Sequence, residues 1–404
     1  MKVLVLGAGV IGVASAWYLK RAGHDVTVVE RREGPALETS YANGGQISVS
    51  HAVPWANPDA PREVMQWLGR PDAPLRFRPR PDWRQWYWGL RFMLECLPGR
   101  TRANSARILA LALESQHALA ELRAEADLAF DHRAAGILSL YTTPRAYRDA
   151  LRRLDLLGTE VRREPKTPDE CVALEPALAA ARPQLAGGIY APGDESGDAY
   201  RFTVDLAGRC AERGVDFRYG HAVQGLRAER GRIIGVSVRA AGGTNAVLEA
   251  DAYVLALGCW SPLLARTLDL ELPIYPVKGY SITLPVNDGD VAPRVSLTDE
   301  ERKLVFSRLG PRLRVAGTAE LAGYDQRVDI ERCNGILERT FQLFPRAGDR
   351  AEVEYWAGLR PATPGNVPLV GASRYANLYL NTGHGTLGWT LACGSGQRLA
   401  ALLQ

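Results

Sequence analysis

The chain opens on a short apolar run, Lys2–Leu6, bounded by glycine and too short for a helix, the pattern of a buried parallel strand. Apolar positions follow at helical spacing over Ile11–Ala22, with Gly23 at the expected C-cap. Asp25–Val29 reads as a second strand ending in Glu30. Between the first strand and the helix stand Gly7, Gly9 and Gly12, spaced G-x-G-x-x-G. Gly7 permits the tight turn, Gly9 lets backbone approach a pyrophosphate, and Gly12 lets the helix pack on the strand. The helix N-terminus offers N–H groups to phosphate, and Glu30 stands where a carboxylate can accept from a ribose diol. Strand, helix, strand and acid in this order predict dinucleotide binding.

Further along, turn formers and a Pro-rich stretch occupy Arg31–Pro81, and Asp82–Asp127 is mostly helical in pattern. Gly136–Thr143 alternates as a half-buried strand does, and helical patterns return at Tyr147–Leu157 and Asp169–Leu174. A helix over Thr203–Arg213 and a strand over Val215–Tyr219 come next. A meander of His221–Arg227, Ile233–Val238 and Val247–Ala250 then leads into the apolar run Ala250–Gly258. Leu272–Phe344 reads as β-rich with one helix. Asn377–Leu380 reads as a strand, followed by a glycine loop and a helix from Trp389. The nucleotide unit is therefore expected to be discontinuous: residues 1–52, 187–270 and 345–404, with 53–186 and 271–344 forming a substrate domain. A nicotinamide enzyme usually keeps its dinucleotide domain in one piece, so the discontinuity favours a flavin.

Length and composition are those of a two-domain globular protein: 404 residues, 46% hydrophobic and 23% charged. A net charge of +4 without a dense basic tract does not suggest a nucleic-acid partner. Six cysteines without a C-x-x-C pair argue against a disulfide framework and a zinc site, and no metal is expected. A strand beginning at residue 2 and the lack of a long apolar run make the bacterial cytoplasm, or the inner face of its membrane, the expected location.

Four more blocks carry candidate chemistry. Glu38–Ser48 (ETSYANGGQIS) suits a loop pressed on a planar cofactor or its phosphates, a solvent-exposed turn being the plainer alternative. In Trp356–Gly365, Arg360 precedes a Pro-fixed turn and can hold its planar fork against a carboxylate, or make a surface salt bridge. Asn381–Thr390 is a second glycine-rich strand-to-helix turn, whose N–H groups suit negative charge on a reduced flavin. Val277–Ser281 carries Tyr280, for which a sheet-packing role and a substrate contact are equally compatible. His384 reads as a loop anchor rather than a base. Asp194, Glu195 and Asp198 read as turn acids or loop braces rather than a paired-carboxylate site.

Through VLGAGVIGVASAWYL, ETSYANGGQIS, GDESGDA, PVKGYS, GLRPATP and NTGHGTLGWTLACGSGQ, the chain resembles the FAD-dependent D-amino-acid oxidase superfamily over essentially its whole length. The resemblance implies an α/β (α+β) fold. Its Rossmann-like FAD-binding domain is assembled from discontinuous segments, with an inserted β-rich substrate domain. It implies non-covalent FAD, with adenosine near Glu30 and Arg31, pyrophosphate on Gly7, Gly9, Val10, Ile11 and Gly12, and adenine at Val223. Further cofactor contacts are implied for Thr39, Ser40, Asn43, Gly44, Gly45, Gln46 and Ile47. They are also implied for Gly258, Gly358, Gly383, His384, Gly385, Thr386, Leu387 and Gly388. Arg360 would clamp a substrate carboxylate, Tyr280 would hydrogen-bond it, and His51 would line the pocket mouth. The implied reaction is oxidative deamination of a D-alanine-like D-amino acid. The α-hydrogen leaves as hydride to flavin N5, the imino acid hydrolyses to a 2-oxo acid and ammonia, and a quinone or other respiratory acceptor takes the electrons. A true oxidase, a secondary-amine enzyme acting on sarcosine, proline or D-hydroxyproline, and a non-catalytic FAD-binding subunit remain alternatives. The oligomeric state is left open.

Two local features stand apart. Gly44 stands where the family pattern expects alanine, a change open to a role in choosing cyclic imino acids. Trp83, Trp86, Tyr87 and Leu90 share one helical face, with Arg76, Arg78, Arg80, Arg84 and Arg91 around it. The stripe fits either core packing or a peripheral membrane interface that brings the enzyme to its quinone.

Overall fold

The computed structural model describes residues 1–67, 69–70, 73–154 and 160–404. Two sheets organise them. The first runs in the order Leu369–Ala372, Leu378–Thr382, Ala252–Leu255, Lys2–Leu6, Asp25–Val29 and Asp216–Arg218. Its pairings are parallel except for the edge pair Leu369–Ala372 with Leu378–Thr382. Val3, Leu4, Val5 and Leu6 are all buried, because both faces of this strand are covered. Helices Val10–Arg21, Ala199–Glu212 and Gly388–Ala401 cover one face through Val13, Trp17, Phe202, Leu206 and Trp389. The antiparallel meander His221–Glu229, Arg232–Ala240 and Asn245–Leu248 covers the other through Leu226, Val236 and Val238.

The second sheet runs Glu354–Ala362, Tyr275–Pro285, Arg312–Leu321, Leu304–Leu309, Ser296–Asp299, Ile137–Tyr141, Gly187–Ala191 and Glu164–Lys166, with Leu75–Phe77 beside Arg312–Leu321. One face packs on helix Ile330–Leu343 through Ile282, Leu297, Phe306, Val315 and Ile336. The opposite face carries Ser281, Val305, Ala316 and Arg360 and turns toward the loop Asn43–Gln46. A Cβ at Gly44 would lie 2.6 Å from Val305 Cγ2, and Gln46 Nε2 donates to Ser296 Oγ and Thr298 Oγ1 at 3.1 Å.

Two stretches expected on the nucleotide side belong to the second sheet instead. Gly187–Ala191 pairs with Ile137–Tyr141, and Glu354–Ala362 pairs with Tyr275–Pro285. The helix expected over Tyr147–Leu157 is found at Pro144–Leu151, and residues 155–157 lie outside the described ones. The aromatic stripe lies on helix Trp83–Glu95 and faces outward: Trp83, Trp86, Tyr87 and Leu90 are all about half exposed or more, so core packing does not account for it.

Candidate active site

A cleft of about 420 Å³ runs along the C-terminal ends of the parallel strands, within the roughly 300–1,000 Å³ of small-molecule sites. Gly7 and Gly9 form its floor. Gly7 takes φ +106°, and a Cβ there would lie 2.7 Å from the Ala256 carbonyl oxygen. At Gly12 a Cβ would lie 1.9 Å from the Gly7 carbonyl oxygen, so only glycine lets the helix sit this close to the turn. Ser40 Oγ accepts from the Val10 N–H at 3.1 Å, which ties the loop after the second strand to the helix N-terminus. Glu30 accepts from the Ala8 and Arg32 N–H groups at 2.9 and 3.0 Å, and this fixes its carboxylate at the rim. Arg31 pairs with Glu38 and stacks 4.2 Å from the Trp260 ring centroid.

The expected residues that line the cleft are Gly7, Gly9, Val10, Ile11, Glu30, Arg31, Thr39, Ser40, Asn43, Val223, Gly258, Gly383, His384, Gly385 and Gly388. Gly12 stands behind the turn. Gly44, Gly45, Gln46 and Ile47 stand between the cleft and the second sheet, where Gly45 packs on Ser307 and Gln46–Ile47 pairs with Glu195–Ser196. Thr386 lies in the short turn Gly385–Leu387, and Leu387 packs beside Val49 and Leu391. Gly358 is covered by the Trp356 ring. Glu38 and Trp389, from the two cofactor-facing blocks, also line the cleft, as do His221, Gln224, Cys259 and Trp260, which nothing in the sequence had marked as contacts. The run Gly258-Cys-Trp after an apolar strand was the available signal for Cys259 and Trp260.

The lining suits FAD. Two glycine turns leave backbone open to a long ligand. At the far end the Asn381 Oδ1 and both His384 ring nitrogens are buried without a partner among the described residues. Burial pushes the His384 pKa down to about 3, so its ring is neutral and free to donate from one nitrogen and accept at the other.

Leu359 and Pro361 line the cleft, and Arg360 stands between them in sequence. Its guanidinium lies over Gly279, where a Cβ would be 2.3 Å from Cζ, and its Nη1 donates to the Thr318 carbonyl at 2.8 Å. Among the described residues no carboxylate pairs with it, and burial lowers its pKa to about 10, which leaves it cationic at neutral pH.

Tyr280 does not join Arg360. Val277, opposite Arg360, shares its face, and strand alternation sends Tyr280 to the other face. There the Tyr280 hydroxyl donates to Glu320 among core residues, and burial followed by Glu320 raises its pKa. A direct bond from Tyr280 to a carboxylate at Arg360 is thereby excluded in this arrangement.

His51 is not part of the cleft wall. Its Nδ1 lies 2.7 Å from Ser48 Oγ and its Nε2 3.1 Å from Glu300 Oε1. Burial works against its charge, but Glu300 and Asp194 outweigh burial and raise its pKa. Asp194 accepts from the Val49 and Ser50 N–H groups at 2.9 and 3.1 Å, and Asp198 caps helix Ala199–Glu212. Both acids brace loops, as the plainer reading has it.

Residues 2–402 match the model of the DAO family, described as FAD dependent oxidoreductase. D-amino acid dehydrogenases of Paramagnetospirillum magneticum and Dechloromonas aromatica are each 54% identical over the whole of this chain, covering 95% and 97% of their own lengths. In fold the chain is similar to glycine oxidase from Bacillus cereus, with TM-score 0.75 and 23% identity over 99% of this chain and 96% of that one. It is likewise similar to L-proline dehydrogenase from P. horikoshii, with TM-score 0.75 and 18% identity over 100% and 93% of the two chains. With its glycine-turn cleft and a family match spanning nearly every residue, the chain belongs to the DAO family of FAD-dependent oxidoreductases.

Proposed function

We propose that this protein is a D-amino acid dehydrogenase that binds FAD non-covalently and deaminates its substrate oxidatively. The observation that carries the reading is Arg360, a cation without a carboxylate partner among the described residues, whose chain neighbours Leu359 and Pro361 line the cofactor cleft. Such a group calls for an anion, and an α-amino acid brings its carboxylate there. The names of the full-length relatives support the D-configured substrate.

FAD, when bound, supplies the acceptor for the α-hydrogen and its electron pair. The chain's own residues supply position and charge. Gly7, Gly9 and the helix Val10–Arg21 receive the phosphates, and Glu30 receives the ribose. Arg360 fixes the carboxylate, which orients the α-carbon and excludes bulk water from one side of it. His384, kept neutral by burial, offers hydrogen bonds at the flavin end of the cleft. The imino acid product hydrolyses to a 2-oxo acid and ammonia.

Replacing Arg360→Ala tests the reading. The variant should keep its FAD and lose kcat/KM for D-alanine on the order of 100-fold or more, chiefly through KM. An unchanged KM would remove Arg360 from the substrate site.

For the electron acceptor we infer a quinone at a lipid surface. No helix among the described residues is long and apolar enough to cross a membrane, so contact would be peripheral. The exposed stripe Trp83, Trp86, Tyr87, Leu90 and Met93, with Arg84 and Arg91 beside it, supports this.

A further inference from the structure

We propose that the Thr318 hydroxyl is a second donor to the substrate carboxylate, beside Arg360. The proposal rests on reading Arg360 as the carboxylate clamp. It begins with a defect in the sheet. Lys278 pairs with Glu320 but Tyr280 pairs with Gly317, so Gly279 alone faces two residues, Thr318 and Ala319. This is a β-bulge, a device that re-aims a strand locally next to active sites.

At the bulge Thr318 takes φ +54°. A β-branched residue is an outlier in that region, and glycine would occupy it without strain. The strained backbone aims the Thr318 carbonyl at Arg360 Nη1, 2.8 Å away. Glycine could do as much, so the carbonyl does not explain the threonine side chain.

The side chain adds a second cost. Thr318 Oγ1 is buried without a hydrogen-bond partner among the described residues, although the residue as a whole is half-buried rather than enclosed. A hydroxyl in that state costs stability. Strain and an orphaned donor thus coincide on the residue that holds the unpaired guanidinium. Such coincidences mark positions kept for binding rather than for folding. Rotation about χ1 moves the hydroxyl between staggered positions. The carboxylate that neutralises Arg360 is the acceptor both groups lack.

The rest of the bulge is built to stay put. Glu320, on its far side, takes the Tyr280 hydroxyl, lies 3.6 Å from Lys278 Nζ and pairs with Arg78. Tyr280 therefore acts on the site through Glu320 and the bulge, as a positioning residue.

The test compares Thr318→Val, which keeps the shape and loses the hydroxyl, with Thr318→Ser, which keeps the hydroxyl. Both are made as FAD-loaded full-length protein. Melting temperature, kcat and KM for D-alanine, and the Kd of propionate read from perturbation of the flavin spectrum are measured. Thr318→Val should melt at the parent's temperature or above it. Its KM and propionate Kd should rise roughly ten-fold or more, with kcat changed less. Thr318→Ser should keep both constants near those of the parent. If Thr318→Val fails to fold, Thr318→Gly removes the hydroxyl without strain and should show the same losses. Unchanged propionate binding in the folded variant lacking the hydroxyl overturns the proposal. Arg360→Ala separates the layers: if it weakens propionate binding while Thr318→Val does not, only the Thr318 assignment fails. If neither weakens it, the carboxylate clamp itself fails.

Discussion

Glycine at 279 and arginine at 360 specify each other. A Cβ on residue 279 would stand 2.3 Å from the guanidinium carbon, so Gly279→Ala must push Arg360 off the Thr318 carbonyl. Steady-state kinetics of that variant should show KM for D-alanine raised with FAD content intact. An unaltered KM would mean that the guanidinium position does not matter. His384 makes a different prediction. Its pKa lies near 3 in the folded protein against about 6.5 in an unfolded chain. Between those values the unfolded chain holds the extra proton, so stability falls as pH drops through this window, by up to roughly 1.4 kcal/mol per pH unit. His384→Gln should therefore lose melting temperature less steeply than the parent between about pH 6.5 and 4. Parallel curves would contradict this. Arg360 owes its direction to the register of strand Glu354–Ala362, where it stands opposite Val277, and not to a Pro-fixed turn, because Pro361 continues the strand. The direction of Tyr280 was not legible in the sequence, because which of two neighbouring strand residues faces the cleft depends on the register with Glu354–Ala362, a non-local pairing.

The strand–turn–helix unit at the N-terminus was readable to within a residue, since glycine spacing, periodicity and caps all agree there. The meander was readable in its first two strands from their alternation, while the third, expected at Val247–Ala250, lies at Asn245–Leu248. Domain membership was not readable. Gly187–Ala191 and Glu354–Ala362 adjoin cofactor segments in sequence yet find their hydrogen-bond partners in the second sheet, and strand pattern alone does not name a partner. Helix Trp83–Glu95 was legible as amphipathic, but sequence could not say whether its apolar face is covered. In the structure Trp83, Trp86, Tyr87, Leu90, Met93, Leu94 and Leu97 form one exposed ridge. Arg76 and Arg78 bond to Asp329, which leaves Arg84 and Arg91 as its basic flank. The parent protein should float with anionic liposomes, and a folded Trp83→Glu, Trp86→Glu variant should stay at the bottom of the gradient. Equal flotation of the two would end the membrane assignment for this helix.

The whole molecule is two sheets with complementary duties. The parallel sheet carries glycine turns and a carboxylate at its strand ends, where a dinucleotide can lie. The larger sheet presents a bulge, two facing glycines and an arginine without a carboxylate partner among the described residues toward the same region. Discontinuity in sequence follows from this arrangement, because each sheet draws strands from distant parts of the chain. The proposed function needs a cofactor held by the first sheet to be reduced by a D-amino acid held by the second. The anaerobic visible spectrum of the purified protein, before and after D-alanine and L-alanine, tests it most directly. Flavin bands should bleach with D-alanine, persist with L-alanine, and return faster with a quinone than with air. A protein that shows no flavin bands even after added FAD, or whose bands bleach equally with both enantiomers, would contradict it.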